Sequence, residues 1–371
     1  MPASIPSQHR ESDFRRLGNP SRFRSVRKRS SAVVFAHINA DGGIALVPEQ
    51  IGSYGVLLFF ILSGFLMGHL YLGQPFEKDR VARYFAARIS RILPLYYTVG
   101  LASFIYSRFD PNFFYYMTPL DAVRHIFAIS NVSVFWTIAP EFQFYFCFPI
   151  LWWLGSQPRR ISLPIGVILG TVTIVLIAFR YQLPGLLVIS KLHIFLLGIA
   201  IALAAPLTRA KLSESAATII QLIAVAIMLS LIFPPTADYH QWLYLDGEPD
   251  RLARYYYEFP RVLMMGLCVF AFATSDTAFA RAVFGNAVGR NLGKLSFSLY
   301  LLHTPVIYMA IALDWFSTFG VSLTVALILI ISYVISALSH KWFEEPSRRA
   351  GTHALLHLFN SARFGERHAA A

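Results

Sequence analysis

Long apolar runs are the feature that most limits what this chain can become. They fall near residues 53–73, 92–107, 134–155, 161–180, 187–205, 216–233, 259–275, 295–313 and 320–341. Several reach the roughly 20 residues needed to cross a hydrocarbon core of about 30 Å. A weaker stretch at 30–48 gives way to Asn39-Ala40-Asp41-Gly42-Gly43 and brings the expected total to about ten spans. A large soluble protein would separate such runs with charge-rich amphipathic helices, and the sequence has none. Only 14% of the 371 residues are charged while 56% are apolar, against a usual charged share of about a quarter. The expectation is an all-α, polytopic membrane protein.

Net charge is +12, which could point to nucleic acid. The cations instead sit in short clusters between apolar spans and do not gather on one folded surface, so nucleic acid is not an expected partner. With the N-terminus cytoplasmic and each span crossing once, one set of loops holds Lys78, Arg80, Arg83, Arg88 and Arg91, then Arg159 and Arg160, Arg209 and Lys211, Arg281, Arg290 and Lys294, and finally Lys341, Arg348 and Arg349. The opposite loops hold Arg108, Arg124, Arg180, Arg251 and Arg254, alongside Asp110, Asp121, Asp238, Asp246, Glu248, Asp250 and Glu258. Lys and Arg mark cytoplasmic loops, so both termini are expected in the cytoplasm and the chain in a bacterial cytoplasmic (inner) membrane. Residues 1–30 read as a basic, disordered arm without a signal-peptide core, 31–349 as the membrane domain and 350–371 as a cytoplasmic tail. Tyr115-Tyr116, Trp242, Tyr244 and Tyr255-Tyr256-Tyr257 fall where span ends should be, as interfacial anchors do. Cys147 and Cys268 lie inside apolar stretches and read as packing residues.

Ionisable groups inside a membrane are costly and usually functional. Four sets stand out: His37 in the weak first span, Arg83, Arg88 and Arg91 leading into Ile92-Leu93-Pro94, Glu141 at the entrance of a span, and His303 two residues before Pro305. Each also has a purely structural reading. A membrane histidine can join helices by hydrogen bonds, the arginines can be positive-inside anchors, Glu141 can serve a helix N-terminus, and Pro305 can simply kink a helix. By residue chemistry alone, a buried polar site fits either an enzyme or a proton-coupled transporter or flippase of a lipid-linked sugar. Inverted repeats and paired broken helices, common in secondary transporters, are not seen. No His/Asp/Glu cluster has metal-ligand spacing, and none of these sets suggests a metal.

The order and spacing of five segments resemble the acyltransferase-3 family of integral membrane O-acyltransferases. They are Gly52 to Leu66, Arg88-Ile-Ser-Arg91-Ile-Leu-Pro94-Leu-Tyr96, Trp136-Thr137-Ile138-Ala139-Pro140-Glu141 with Phe144, Tyr145 and Pro149, Leu292 to Pro305, and Trp342-Phe343-Glu344-Glu345-Pro346-Ser347-Arg348. The resemblance implies transfer of an acyl group, acetyl above all, from acetyl-CoA or another acyl-CoA to a hydroxyl of a cell-surface carbohydrate, with no tightly bound cofactor. It implies that His37 is the base and Glu141 the buried acid, with Arg88 and Arg91 at the donor. Trp136, Ser296, Tyr300 and His303 are accessory or structural positions. Two positions depart from the family pattern: Val26 stands where a cation usually precedes the histidine by eleven residues, and Phe142 follows Glu141 where many members have a second acid. About twenty residues follow the last motif, so a separate periplasmic transfer partner is expected to do what a fused hydrolase-like domain does in other members.

Overall fold

The computed structural model describes residues 51–111, 113–179, 182–209, 211–232 and 251–369. The arm at 1–30, the weak span at 30–48 and His37 lie outside the described residues, as do Trp242 and Tyr244. Every regular element among the described residues is helical. In chain order these are α1 (Ile51–Tyr71), α2 (Lys78–Tyr106), α3 (Pro119–Ile126), α4 (Ile138–Ser156), α5 (Arg159–Ala178), α6 (Leu192–Arg209), α7 (Glu214–Ile232), α8 (Arg251–Thr274), α9 (Ala278–Val283), α10 (Ala287–Ala312), α11 (Trp315–Ser339) and α12 (Glu345–Ala369). Each of the nine apolar runs read from 53–73 onward lies largely within one of these helices.

Among the described residues, six helical stretches are long and apolar enough to cross a membrane: those in α1, α4, α5, α6 and α10, and the continuous run from Trp315 into α12. Helices α7 and α8 hold shorter apolar stretches, Glu214–Ser230 and Phe259–Thr274. Helix α2 is divided. Its first half carries Lys78, Asp79, Arg80, Arg83, Arg88 and Arg91, and its second half is apolar. The outer surface is what a bilayer requires. Helix α5 buries no residue, and Leu163, Val167, Ile168 and Ile174 are each at least 60% exposed. A monomer in water rarely shows so large an apolar face.

The tightest helix pair explains why Gly64 stands in the first quoted segment. A Cβ on Gly64 of α1 would lie 2.0 Å from the Phe195 carbonyl oxygen of α6, and one on Gly198 would lie 2.0 Å from that of Ile61. In lipid, helices associate through close packing at small residues, since apolar side chains gain nothing by leaving apolar solvent. Around this seam Phe195 lies between Phe60 and Phe144, with ring centroids 4.9 and 4.2 Å away. A second aromatic group, Tyr71, Tyr84, Phe148 and Trp152, ties α1 to α2 and α4.

Three helices were not foreseen. Helix α3 starts with a capping box: the Thr118 hydroxyl accepts from the Asp121 amide at 3.1 Å, and Asp121 accepts from the Thr118 amide at 3.1 Å. Reciprocal bonding of this kind satisfies the free donors of a first turn. Helix α9 is capped by Thr277, which accepts from the Ala280 amide at 3.0 Å. Helix α12 follows α11 through a π-turn at His340–Glu344, so the stretch expected as a tail at 350–371 is helical to Ala369. It packs on α2, where Ser90 Oγ and Thr352 Oγ1 are 2.7 Å apart.

Tyr115 corrects the interfacial-anchor expectation. It is fully buried, and its hydroxyl donates to the Leu301 carbonyl at 3.0 Å, pinning the loop after α2 to α10. Tyrosine at a span end serves packing as readily as anchoring when its OH finds a partner. Cys147 and Cys268 are free thiols; Cys268 is buried and bonds the Ala224 carbonyl.

Candidate functional site

Glu141 occupies the first turn of α4, but its carboxylate caps nothing there. It points inward and is 3% exposed. Its Oε1 accepts from the Ser63 hydroxyl of α1 at 2.8 Å and from the Tyr145 hydroxyl, one turn further along α4, at 2.5 Å. Its Oε2 has no hydrogen-bond partner among the described residues. Leaving a buried polar atom unpaired costs about 1–3 kcal/mol, and groups kept that way in native proteins call for an explanation. One oxygen is fixed by two hydroxyls while the other is held ready. The capping reading of Glu141 therefore gives way to a buried acid in a built setting.

Arg88 completes this setting from α2. It is 8% exposed, its Nη2 donates to the Tyr71 hydroxyl at 3.4 Å, and its guanidinium carbon lies 5.8 Å and 5.7 Å from the ring centres of Tyr71 and Tyr145. Its Nε has no hydrogen-bond partner among the described residues. Tyr145 thus touches both charges, with its hydroxyl on Glu141 and its ring beside Arg88. The position is set by Tyr84, whose hydroxyl donates to the Tyr145 carbonyl at 2.9 Å. Arg91, three residues on and so on a neighbouring part of the same helix face, is exposed and lines an open cavity. A buried guanidinium between rings is a poor topological anchor and a good partner for an anion.

The other expected residues divide. Trp136 ends at the same region, in the short 3-10 turn Ser133–Thr137 that feeds α4, and its indole Nε1 is buried without a partner among the described residues. The Tyr300 hydroxyl accepts from Thr137 Oγ1 at 2.9 Å and donates to the Val134 carbonyl at 3.1 Å, clamping that turn to α10. His303 is buried, and both ring nitrogens engage its own helix: Nδ1 bonds the Leu299 carbonyl at 2.9 Å and Nε2 lies 3.3 Å from Thr304 Oγ1. Ser296 is exposed and bonds the Gly293 carbonyl at 3.0 Å, apart from the Glu141 group.

Sequence reasoning missed Ser63, Tyr71 and Tyr145 as members of the group. Tyr145 carried a usable signal, since a hydroxyl four residues after an acid shares its helix face. Ser63 and Tyr71 carried none, because only the docking of α1 brings them in. Glu344, quoted in the closing segment without a role, accepts from the buried Ser298 hydroxyl of α10 and from Ser339 Oγ at 3.1 Å. It locks the π-turn to α10, and π-turns of this kind gather at functional sites.

A multi-pass helical bundle with a buried acid, a buried arginine and, at Arg91, the mouth of an open cavity is, on comparison with known proteins, a membrane acyltransferase. The family model described as an acyltransferase domain, acyltransferase-3, matches residues 27–340, and the chain belongs to that family. A provisionally named O-acetyltransferase of Staphylococcus aureus (strain COL) is 25% identical over 344 residues, covering 82% of this chain and 54% of that protein. The peptidoglycan O-acetyltransferase OatA of Listeria monocytogenes is 23% identical over 368 residues, covering 86% and 54%. A provisionally named acetyltransferase of Acidianus two-tailed virus is 32% identical over 149 residues, covering 38% and 43%. The chain therefore spans about half the length of the bacterial relatives it matches. No solved structure gives a significant match. Family and relatives support the enzyme reading, an acyltransferase.

Proposed function

We propose that the chain moves an acetyl or related acyl group from acyl-CoA to a hydroxyl of a cell-surface carbohydrate. The observation that carries this reading is the Glu141 carboxylate, buried with one oxygen pinned and one unpaired, beside a buried arginine in an acyltransferase-3 chain. Acyl transfer breaks the thioester C–S bond and forms an ester C–O bond. The acceptor hydroxyl loses a proton as it attacks, and the departing thiolate gains one. His37 is the base that takes the hydroxyl proton, since imidazole titrates near operating pH. Glu141 orients that base or the acceptor through its free oxygen. Arg88, buried on α2, and Arg91, at its open face, bind the acyl donor, since guanidinium forks match its phosphate oxygens. Trp136, Tyr300 and His303 shape the wall of the site, and Ser296 is structural. The burial of the group keeps water from the thioester.

In this reading the membrane domain is 31–349, about ten spans cross a bacterial inner membrane, and both termini face the cytoplasm, where acyl-CoA is made. A separate periplasmic partner completes transfer to glycans that lie beyond the membrane. The test is substitution in membranes. His37→Ala is expected to abolish transfer, and Arg88→Ala to raise the acyl-CoA requirement far more than the acceptor requirement. Wild-type rates in His37→Ala, or equal effects on both requirements in Arg88→Ala, would overturn these roles.

A further inference from the structure

Three stretches that the sequence keeps far apart converge on one concavity of about 700 Å³. Helix α2 supplies Arg91, α10 supplies Arg290 and Lys294, and the start of α12 supplies Arg348 and Arg349. Five cations thus face one space against two carboxylates, Glu344 and Glu345. Each carboxylate has partners of its own. Glu344 accepts from Ser298 and Ser339 through Oε1, and its Oε2 lies 3.7 Å from His340 Nδ1. Glu345 bonds Arg348 at 2.7 Å and Arg349 at 2.8 Å, and so fixes both guanidinium groups in the cavity wall.

Topological retention of positive charge would account for cations in each loop. It does not call for their convergence on a single cavity, since loop charges act separately and repel one another when gathered. A gathered set of guanidinium forks and an ammonium matches an anion with several phosphate oxygens. The concavity lies in the size range of small-molecule sites. Arg91 is about 4.5 Å along the helix axis from Arg88, so a ligand anchored here has its other end directed to the buried group.

We propose that Arg91, Arg290, Lys294, Arg348 and Arg349 form an oligophosphate subsite that holds the nucleotide-phosphate end of the acyl donor. This rests on the donor being an acyl-CoA, as read above. It adds the start of α10 and the closing segment to the donor site and gives Glu345 a positioning role.

The direct test is binding of adenosine 3′,5′-bisphosphate to the purified full chain in detergent, compared with a Lys294→Ala/Arg348→Ala variant. A second variant, Lys294→Arg/Arg348→Lys, keeps the charge and controls for folding. The wild type is expected to bind, the alanine pair to bind at least tenfold more weakly, and the charge-keeping pair to recover most of the loss. In transfer assays the alanine pair should raise the apparent KM for acetyl-CoA about tenfold, leave the acceptor KM in place, and lose preference over 3′-dephospho-acetyl-CoA. Equal binding of the bisphosphate by all three proteins would overturn the subsite, even with acetyl transfer intact. Binding of the bisphosphate without transfer from any acyl-CoA would support the subsite and count against the functional reading. If the bisphosphate does not bind while phosphatidylglycerol nanodiscs stabilise wild type and not the alanine pair, the cavity takes a lipid headgroup and the proposal fails.

Discussion

Two polar regions of this molecule are built from the same residue types in opposite ways. Around Glu141, the charges are buried and few, and almost every bond comes from a hydroxyl on a helix: Ser63, Tyr145 and Tyr71. At the mouth, the charges are exposed and many, and acids pair with arginines on the same turn of helix, as Glu345 does with Arg348 and Arg349. Arg88 and Arg91 sit three residues apart on α2 and fall one into each region. Burial, more than residue identity, decides what a charge can do here. A buried group is costly to leave unpaired and is fixed in place. An exposed pair is screened and exchangeable, which suits groups that must take up and release an anion.

That contrast can be broken by experiments of falling size. The largest effect expected is on pH. His125 of α3 is another buried polar group, its ring stacked 3.8 Å from Tyr96 and its Nε2 bonded to the Tyr96 carbonyl at 3.0 Å. Burial pushes its imidazole down to about 4. Below about pH 6.5 the unfolded chain takes up a proton that the folded chain refuses, so stability is full above 6.5 and falls at about 1.4 kcal/mol per unit toward 4. Unfolding measured at pH 7 and pH 5 should differ by about 2 kcal/mol, and His125→Gln should flatten the slope. A slope unchanged by that substitution would show that other groups carry it.

Next in size is Tyr145→Phe, which removes one bond to Glu141 and leaves the ring beside Arg88. It should cost about 1 kcal/mol of stability and lower transfer without altering donor preference. The smallest effect belongs to the mouth. Glu345→Gln should change stability by about 0.5 kcal/mol, the scale of an exposed pair. If Glu345→Gln proves more damaging to folding than Tyr145→Phe, the division between a fixed interior and an exchangeable mouth is wrong.

Much of the scaffold was legible because a bilayer leaves little choice. Backbone groups in lipid must bond within their own segment, so an apolar run such as 134–155 has one outcome, and α4 with its leading turn covers 133–156. Glu141 and Arg88 were legible for the same reason, since a charge beside such a run is conspicuous. What sequence could not supply was contact between helices. Ser63 looks like any serine in an apolar span until the close approach at Gly64 and Gly198 brings α1 against its neighbours. Arg290, Lys294 and Arg348 read as three loop charges until α10 and α12 converge on α2. Helix α12 escaped notice because its polar sequence lacks a span's signature, and its helicity comes from continuing α11 and packing on Ser90.

The central claim is that the buried carboxylate serves acyl transfer. The most direct measurement is incorporation of labelled acetyl from acetyl-CoA into surface polysaccharide by membranes carrying either the wild type or Glu141→Gln at equal protein levels. Incorporation is expected with the wild type, and a loss of at least about 100-fold with the variant. Equal incorporation by the two proteins would contradict it.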